Sequence, residues 1–217
     1  GAAFIVNGDF ETLDGTHDFA GWTEGAGVFD FASPSKTPIE GDHSVKLISS
    51  SGSTGFSQTF STSEPPSNWT VSFDVATTNP GTNGTARSLE LSIWHGTGRF
   101  TLRVVDTGNG IGDIQAFRSS DSSWQTVLSD AVTFSADDTS LKVNHFVLSG
   151  DYSDGSPTYS IAVTRPLTSG TELVSVDDVS VFRDGTPSAG DGITAISFAN
   201  ANTTSTAGGC KGFPCGK

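Results

Sequence analysis

Two neighbouring stretches of the sequence place aromatic, charged and amide side chains at alternate positions. In "LELSIWHGTGRFTLRVV", counted as a hairpin, Trp94 faces Arg99 and Glu90 faces Arg103, while the intervening apolar residues point to the core. A sugar ring packs its C–H face on an aromatic ring and pairs its hydroxyls with charged, planar groups. The strand pair therefore predicts a polysaccharide-binding face. The alternative is a solvated face on which Glu90 and Arg103 form an ordinary ion pair.

The following stretch, "DIQAFRSSDSSWQTV", contributes a second set of candidate residues. The same counting places Phe117 and Trp124 on one face, together with Gln115 and Thr126. Either aromatic ring would then give a second stacking platform for a polysaccharide. Alternation alone does not tell whether this face is the one that carries Trp94.

Catalytic motifs are scarce in the chain. The four histidines are widely separated, and neither an HExxH zinc motif nor a GxSxG nucleophile elbow occurs. A pair of carboxylates for glycoside hydrolysis could come from any part of a fold, and no pair stands out. We therefore predict a non-catalytic protein, with a polysaccharide-active enzyme as a third hypothesis.

Charge and hydropathy exclude two classes of partner. The 217 residues carry a formal net charge of -13, with only 11 Lys and Arg against 24 Asp and Glu. Nucleic acids and anionic membrane surfaces both need clustered basic residues. No run of about twenty apolar residues occurs, which is the length that a membrane-spanning helix needs. We expect no nucleic acid partner and no membrane insertion.

The pattern of the whole chain predicts an all-β fold. Period-two segments recur along the sequence, separated by clusters of Gly, Asn, Asp, Ser and Pro. This pattern favours a two-sheet antiparallel β-sandwich, a jelly roll, with almost no helix. We assign residues 1–183 to the sandwich and residues 184–217 to a linker, one extra strand and a cysteine-loop tail.

The extra strand gives a second functional hypothesis. In "GITAISFANA", Ile196 and Phe198 fall on one face, so the segment could add to a sheet as an edge strand with both side chains buried. If it pairs with an identical subunit, the protein is a self-assembling structural subunit of an extracellular filament or surface layer. If it pairs with strands of the same chain, it completes its own sandwich.

Cysteine and methionine usage points to a secreted or cell-surface protein. Cys210 and Cys215 flank a Gly and a Pro in "CKGFPCGK", which favours a small disulfide loop, with metal binding as the alternative. The sequence contains no Met. Removal of a secretory signal would explain that.

Five short blocks carry a family resemblance: "VNGDFE" with the following "GW", "GDHSVKLIS", "GFSQTFS", "WTVSFDV" and "VDDVSVF". In this order they resemble carbohydrate-binding modules of the family 4/9 type, within the galactose-binding-like jelly rolls. The resemblance covers about residues 4–75 and 171–182. It implies a structural calcium ion held by Glu11 and Asp177, with Asp42 and backbone carbonyls completing the shell. The alternative is that these acids are solvated turn and edge residues.

Overall fold

The structure is a computed structural model. It describes residues 5–15, 19–25, 27–47, 54–60, 68–77, 87–95, 98–108, 110–118, 122–137, 139–151, 158–166, 173–182, 193–200 and 206–209.

The described part of the chain contains β-strands and no helix, which confirms the predicted all-β class. The strands are β1 Thr23–Glu24, β2 Val28–Ala32, β3 His43–Leu47, β4 Thr54–Thr59, β5 Asn68–Thr77, β6 Arg87–His95, β7 Gly98–Gly108, β8 Ile111–Arg118, β9 Ser123–Thr133, β10 Asn144–Asp151, β11 Thr158–Pro166, β12 Leu173–Phe182, β13 Ala195–Asn200 and β14 Thr206–Gly209.

These strands form two seven-stranded sheets. The first has the order β1-β4-β13-β6-β7-β8-β9, and the second has the order β12-β11-β10-β5-β14-β3-β2. Neighbouring strands pair antiparallel in both sheets. The predicted antiparallel two-sheet jelly roll is therefore confirmed.

Alternation along the strands separates a buried inner face from a polar outer face. On β6 and β7 the inner side chains of Leu91, Ile93, Phe100 and Leu102 are all less than 5% exposed. Trp94 pairs with Arg99, and Glu90 pairs with Arg103. The hairpin register predicted from the sequence is thus the observed one. A shift by one residue would expose the apolar set, which is why burial fixes this register so firmly.

The N-terminal segment packs against the core through aromatic rings. The ring of Phe10 lies 5.5 Å from that of Phe19, 5.1 Å from that of Trp22 and 5.7 Å from that of Phe56. Trp22 is 8% exposed, and its Nε1 donates to the carbonyl oxygen of Asn7 at 3.0 Å. Trp22 is therefore a packing residue.

Gln58 fastens this N-terminal segment to the first sheet. The side-chain Oε1 of Gln58 accepts from the Val6 N–H at 2.7 Å, and its Nε2 donates to the carbonyl oxygens of Val6 at 2.9 Å and Gly21 at 3.1 Å. Gln58 is only 5% exposed. Its amide therefore satisfies backbone groups from two parts of the segment at once.

We expect Gln58→Ala to lower the free energy of unfolding by about 1–3 kcal/mol, because the change leaves part-buried backbone groups without their partners. Urea denaturation followed by tryptophan fluorescence measures this loss. The matched control is Thr59→Ala, at the next and exposed position of β4. An unfolding midpoint equal to that of the control would contradict the anchoring role.

The C-terminal strands lie inside the two sheets rather than at their edges. β13 has β4 on one side and β6 on the other, and β14 lies between β5 and β3. The prediction of an edge strand is therefore wrong. The predicted boundary at residue 183 falls in a segment outside the described residues and stays a prediction.

Ile196 and Phe198 face the interior of their own sandwich, where they are 0% and 3% exposed. Both side chains belong to the one apolar core that the two sheets enclose. A neighbouring subunit has no access to side chains buried in this way. The structure thus gives no support to the assembly role predicted for these two residues, and self-assembly is not the favoured function.

Candidate functional site

The predicted binding residues meet on the outer face of β6–β9. Arg103 pairs with Gln115 across β7 and β8, and Phe117 pairs with Trp124 across β8 and β9. Since Arg103 shares the face of Trp94, the second predicted set lies on the same face as the first. We call this surface the outer patch and define it by Glu90, Trp94, Arg99, Arg103, Gln115, Phe117, Trp124 and Thr126.

One end of the outer patch is a tryptophan beside an exposed arginine. The Cζ atom of Arg99 lies 5.1 Å from the centroid of the Trp94 ring. Trp94 is half-buried, and its Nε1 donates to the Oγ of Ser197 at 2.9 Å. This hydrogen bond uses the polar atom of the indole and fixes the orientation of the ring. What remains for a ligand is the part of the Trp94 ring that Arg99 leaves uncovered, together with the guanidinium of Arg99.

The other end of the outer patch is a network around Arg103. Its Cζ atom lies 3.9 Å from the centroid of the Trp124 ring, and its Nε donates to Gln115 Oε1 at 2.8 Å. Gln115 Nε2 donates in turn to Thr126 Oγ1 at 3.4 Å. The Phe117 ring lies 5.3 Å from that of Trp124, at an angle of 59°. Arg103 therefore already covers part of Trp124, and this end is more tightly connected than the Trp94 end.

Glu90 and Arg103 do not form the ion pair that would make this face an ordinary solvated surface. The structure describes both residues and makes their Cα atoms register partners, yet it shows no hydrogen bond or ion pair between the two side chains. Arg103 instead turns toward Gln115 and Trp124. The carboxylate of Glu90 is half-buried on the same face, where it is placed to accept hydrogen bonds from a ligand.

Small hydroxyls on β6, β7 and β13 lie beside the outer patch. Ser92 and Thr101 are hydrogen-bonded at 2.9 Å and are 4% and 3% exposed. Ser197 on β13 is the register partner of Ser92. Sequence reasoning missed Ser197 as a site residue. The available signal was its alternation with Ile196 and Phe198, which places it on the outer face.

The predicted calcium ligands do not all meet. The carboxylate of Glu11 accepts from the Asp42 N–H at 3.1 and 3.3 Å, so these two residues are adjacent. Asp177 lies on β12, an edge strand, and Asp42 immediately precedes β3, five strands away in the same sheet. At about 4.8 Å between strands, the two backbones are roughly 24 Å apart. Ligands of one calcium ion must each place an oxygen within about 2.3–2.6 Å of it. The strand order separates Asp177 from Glu11 and Asp42 and does not favour a shared site, and the three-ligand calcium site stays a prediction.

Metal and disulfide predictions are otherwise open. Within the described residues no group of three or more His, Cys, Asp or Glu side chains could hold an ion. Calcium binding at Glu11 and Asp42 alone stays a prediction. Cys210 and Cys215 lie outside the described residues. Their disulfide therefore stays a prediction. Across the described ranges, no helix is long and apolar enough to span a membrane.

Comparison with known proteins identifies the fold but not a family. No protein-family model matches the chain, and a search of curated proteins finds no match. The specific resemblance to family 4/9 modules therefore stays a prediction.

Similar solved structures include two proteins whose names concern carbohydrates. One is a carbohydrate esterase from the Shiga toxin-encoding bacteriophage phi24B, with a TM-score of 0.55 and 9% identity over 87% of each chain. The other is the potassium-bound carbohydrate recognition domain of Emp46p, with a TM-score of 0.50 and 13% identity, covering 95% of this chain and 94% of that chain. At such identities the likeness concerns the fold alone. The chain is thus a jelly-roll β-sandwich that is similar in fold to these two structures.

Proposed function

We propose that the protein is a non-catalytic polysaccharide-binding module and that it binds its ligand on the outer patch. The observation that carries this proposal is the pair formed by Trp94 and Arg99. The guanidinium of Arg99 lies over the Trp94 indole, with its Cζ atom 5.1 Å from the ring centroid. The fold supports the proposal only in general terms, since many unrelated functions use one fold.

The Trp94 ring is prepared for stacking before a ligand arrives. Its hydrogen bond to Ser197 joins β6 to β13 and holds the indole in one orientation. A side chain that is already ordered loses little conformational entropy on binding, so more of the contact energy appears as affinity. Aromatic anchors of this kind carry a large share of binding energy in protein interfaces. We therefore assign the principal sugar contact to Trp94.

The remaining residues of the outer patch supply polar contacts around that anchor. Arg99 donates, Glu90 accepts, and Arg103 is aimed by its contacts with Gln115 and Trp124. Because Arg103 covers part of the Trp124 ring, Phe117 and the uncovered part of Trp124 form the second platform. This arrangement suits a chain of several sugar residues lying across the strands.

The non-catalytic part of the proposal is supported by what the polar groups of this surface contact. Its hydrogen bonds join Trp94 to Ser197, Ser92 to Thr101, Arg103 to Gln115, and Gln115 to Thr126. None of these four contacts joins a nucleophilic hydroxyl to a general base, which is the arrangement that acyl transfer needs. We expect incubation with a bound glycan to release no new reducing ends and no acetate. Release that depends on Glu90 would make the protein an enzyme.

We also place the protein outside the cell or on its surface. This assignment rests on the sequence alone, through the two closely spaced cysteines. Fractionation of the source cells with an antibody against the sandwich tests it, and recovery from the cytosolic fraction only would contradict it.

We expect Trp94→Ala to weaken binding to a glycan identified by array screening by about 30-fold, or roughly 2 kcal/mol, because it removes the principal stacking surface. Isothermal titration calorimetry measures the change. Far-ultraviolet circular dichroism checks that the variant is folded.

The control for this prediction is Phe29→Ala. Phe29 is a 46% exposed aromatic residue on β2, in the other sheet, and its removal should leave affinity unchanged. If Trp94→Ala binds as tightly as Phe29→Ala, the outer patch is not the binding site.

A further inference from the structure

Arg99 is an uncommitted cation in a chain that is rich in acids. The protein has 24 Asp and Glu against 11 Lys and Arg, so an exposed arginine has many carboxylates with which to pair. The structure nevertheless gives Arg99 an exposed side chain whose contact within the described residues is the ring of Trp94. Its guanidinium therefore has its donors available to a ligand.

Arg103 differs from Arg99 in this respect. Its Nε is engaged by Gln115, and its guanidinium lies against the Trp124 ring at 3.9 Å. Arg103 is thus part of an internal network of the surface, whereas Arg99 stands at its open end. The two arginines have different roles, and only Arg99 is placed to make a new charge-assisted contact.

We propose that Trp94 and Arg99 form a subsite for a sugar residue that carries a carboxylate, that is, a uronic acid. The inference rests on the proposed polysaccharide-binding function and names its substrate class. A guanidinium presents parallel N–H donors in a planar fork that matches the two oxygens of a carboxylate. A sugar ring that packs against the Trp94 indole brings its carboxylate within reach of the Arg99 guanidinium, which lies over the same ring.

Glu90 sets the orientation of such a ligand. It lies four residues before Trp94 on β6, which places it about 13 Å away along the strand at 3.3 Å per residue. A carboxylate beside Glu90 would be repelled, whereas one at the Trp94 end meets Arg99. The acidic sugar therefore sits over Trp94 and Arg99, and the hydroxyls of the preceding sugar approach Glu90.

The overall charge of -13 opposes the approach of an anionic polymer but does not decide the contact. At an ionic strength of 0.15 M the Debye length is about 8 Å, so exposed charges farther than this are largely screened. A direct contact between a guanidinium and a carboxylate is screened much less. Binding should therefore be measured at this ionic strength, where the local contact dominates.

The test compares acidic oligosaccharides with their methyl esters, which have the same backbone without the charge. The probes are oligogalacturonate, alginate oligosaccharides and hyaluronan oligosaccharides, each in acid and ester form, measured by isothermal titration calorimetry. We expect the wild-type protein to bind at least one acid form about tenfold more tightly than its ester. Arg99→Gln should abolish this preference, so that the acid and ester forms of the same oligosaccharide bind with equal affinity. Arg99→Lys should retain only part of it, because the fork is lost.

Lys142→Gln is the matched control for charge. It removes one positive charge from the segment between β9 and β10, away from the outer patch, and should leave the preference intact. If no acid form is preferred to its ester, or if Arg99→Gln keeps the preference, the uronic acid subsite is refuted. In that case Trp94-dependent binding to neutral glycans still upholds the proposed function. If array screening finds no glycan that binds, the proposed function and the subsite both fail.

Discussion

A chain that ends at Arg183 is expected to lose its folded structure, because the strands that it lacks lie inside both sheets. Six register pairs join β13 to β4 and five join it to β6. β14 joins β3 to β5 in the second sheet in the same way. Without β13 and β14, β1 and β4 are detached from β6–β9, and β2 and β3 are detached from β5. The truncation therefore divides each sheet into two parts.

The apolar burial that this truncation removes is comparable in free energy to the stability of a typical domain. Ile193, Ile196 and Phe198 are 0%, 0% and 3% exposed. Burial of each such side chain contributes about 1.5–3 kcal/mol, and small proteins are stable by only about 5–15 kcal/mol. Circular dichroism and thermal unfolding should show no cooperative transition in the fragment.

A chain that ends at Gly209 is the matched control for this truncation. It lacks the two cysteines but keeps every described strand, and should unfold cooperatively. A fragment ending at Arg183 that melts as the control does would show that β13 and β14 are dispensable. That result would mean that the sandwich folds without its C-terminal segment.

The sequence predicts the faces of these strands better than it predicts their neighbours. Alternation in "AISFAN" correctly separates Ile196 and Phe198 from Ser197, because it reports which side chains share a face. It carries no information on whether a strand has one partner or two. A strand in the middle of a sandwich sheet still has one face toward solvent, so its pattern is the same as that of an edge strand. For this reason the position of β13 within the first sheet could not be predicted from its alternation.

The candidate site was predictable only where its residues are close in the chain. Trp94 and Arg99 belong to one hairpin, so counting along it gives the observed register. Ser197, which holds the Trp94 indole, lies 103 residues away in the sequence. Contacts at that distance depend on the order of strands in the sheet, which local patterns do not encode. Placing Phe117 and Trp124 on the same face as Trp94 likewise required the pairing of β7 with β8.

The calcium prediction rests on motif order, which local sequence does not translate into distance. The order of motifs along the chain suggests that the acids of the first and last blocks meet. In the sheet, β12 is at one edge and β3 is near the other, so Asp177 is far from Glu11 and Asp42. The order of motifs along the chain does not determine how far apart they lie in space. The ligands of one ion must all surround a single point.

Phe198→Ala is expected to lower the free energy of unfolding by about 3–5 kcal/mol, the range for deleting a buried phenylalanine ring. The Phe198 ring stacks on Phe56 of β4 at 5.0 Å and meets the edge of Phe73 of β5 at 5.3 Å. It therefore touches both sheets at the centre of the sandwich. The cavity left by alanine cannot be filled without moving one sheet toward the other. Chemical denaturation at equilibrium measures the change.

Phe29→Ala provides the comparison for Phe198→Ala, because the same atoms are removed from a side chain that is 46% exposed instead of 3%. Substitutions at such exposed positions usually change stability by less than about 0.5 kcal/mol. The difference between the two variants thus isolates the packing of Phe198 between the sheets from the chemistry of the substitution. If both variants lose the same stability, Phe198 does not join the two sheets, and the central position of β13 in the first sheet is contradicted with it.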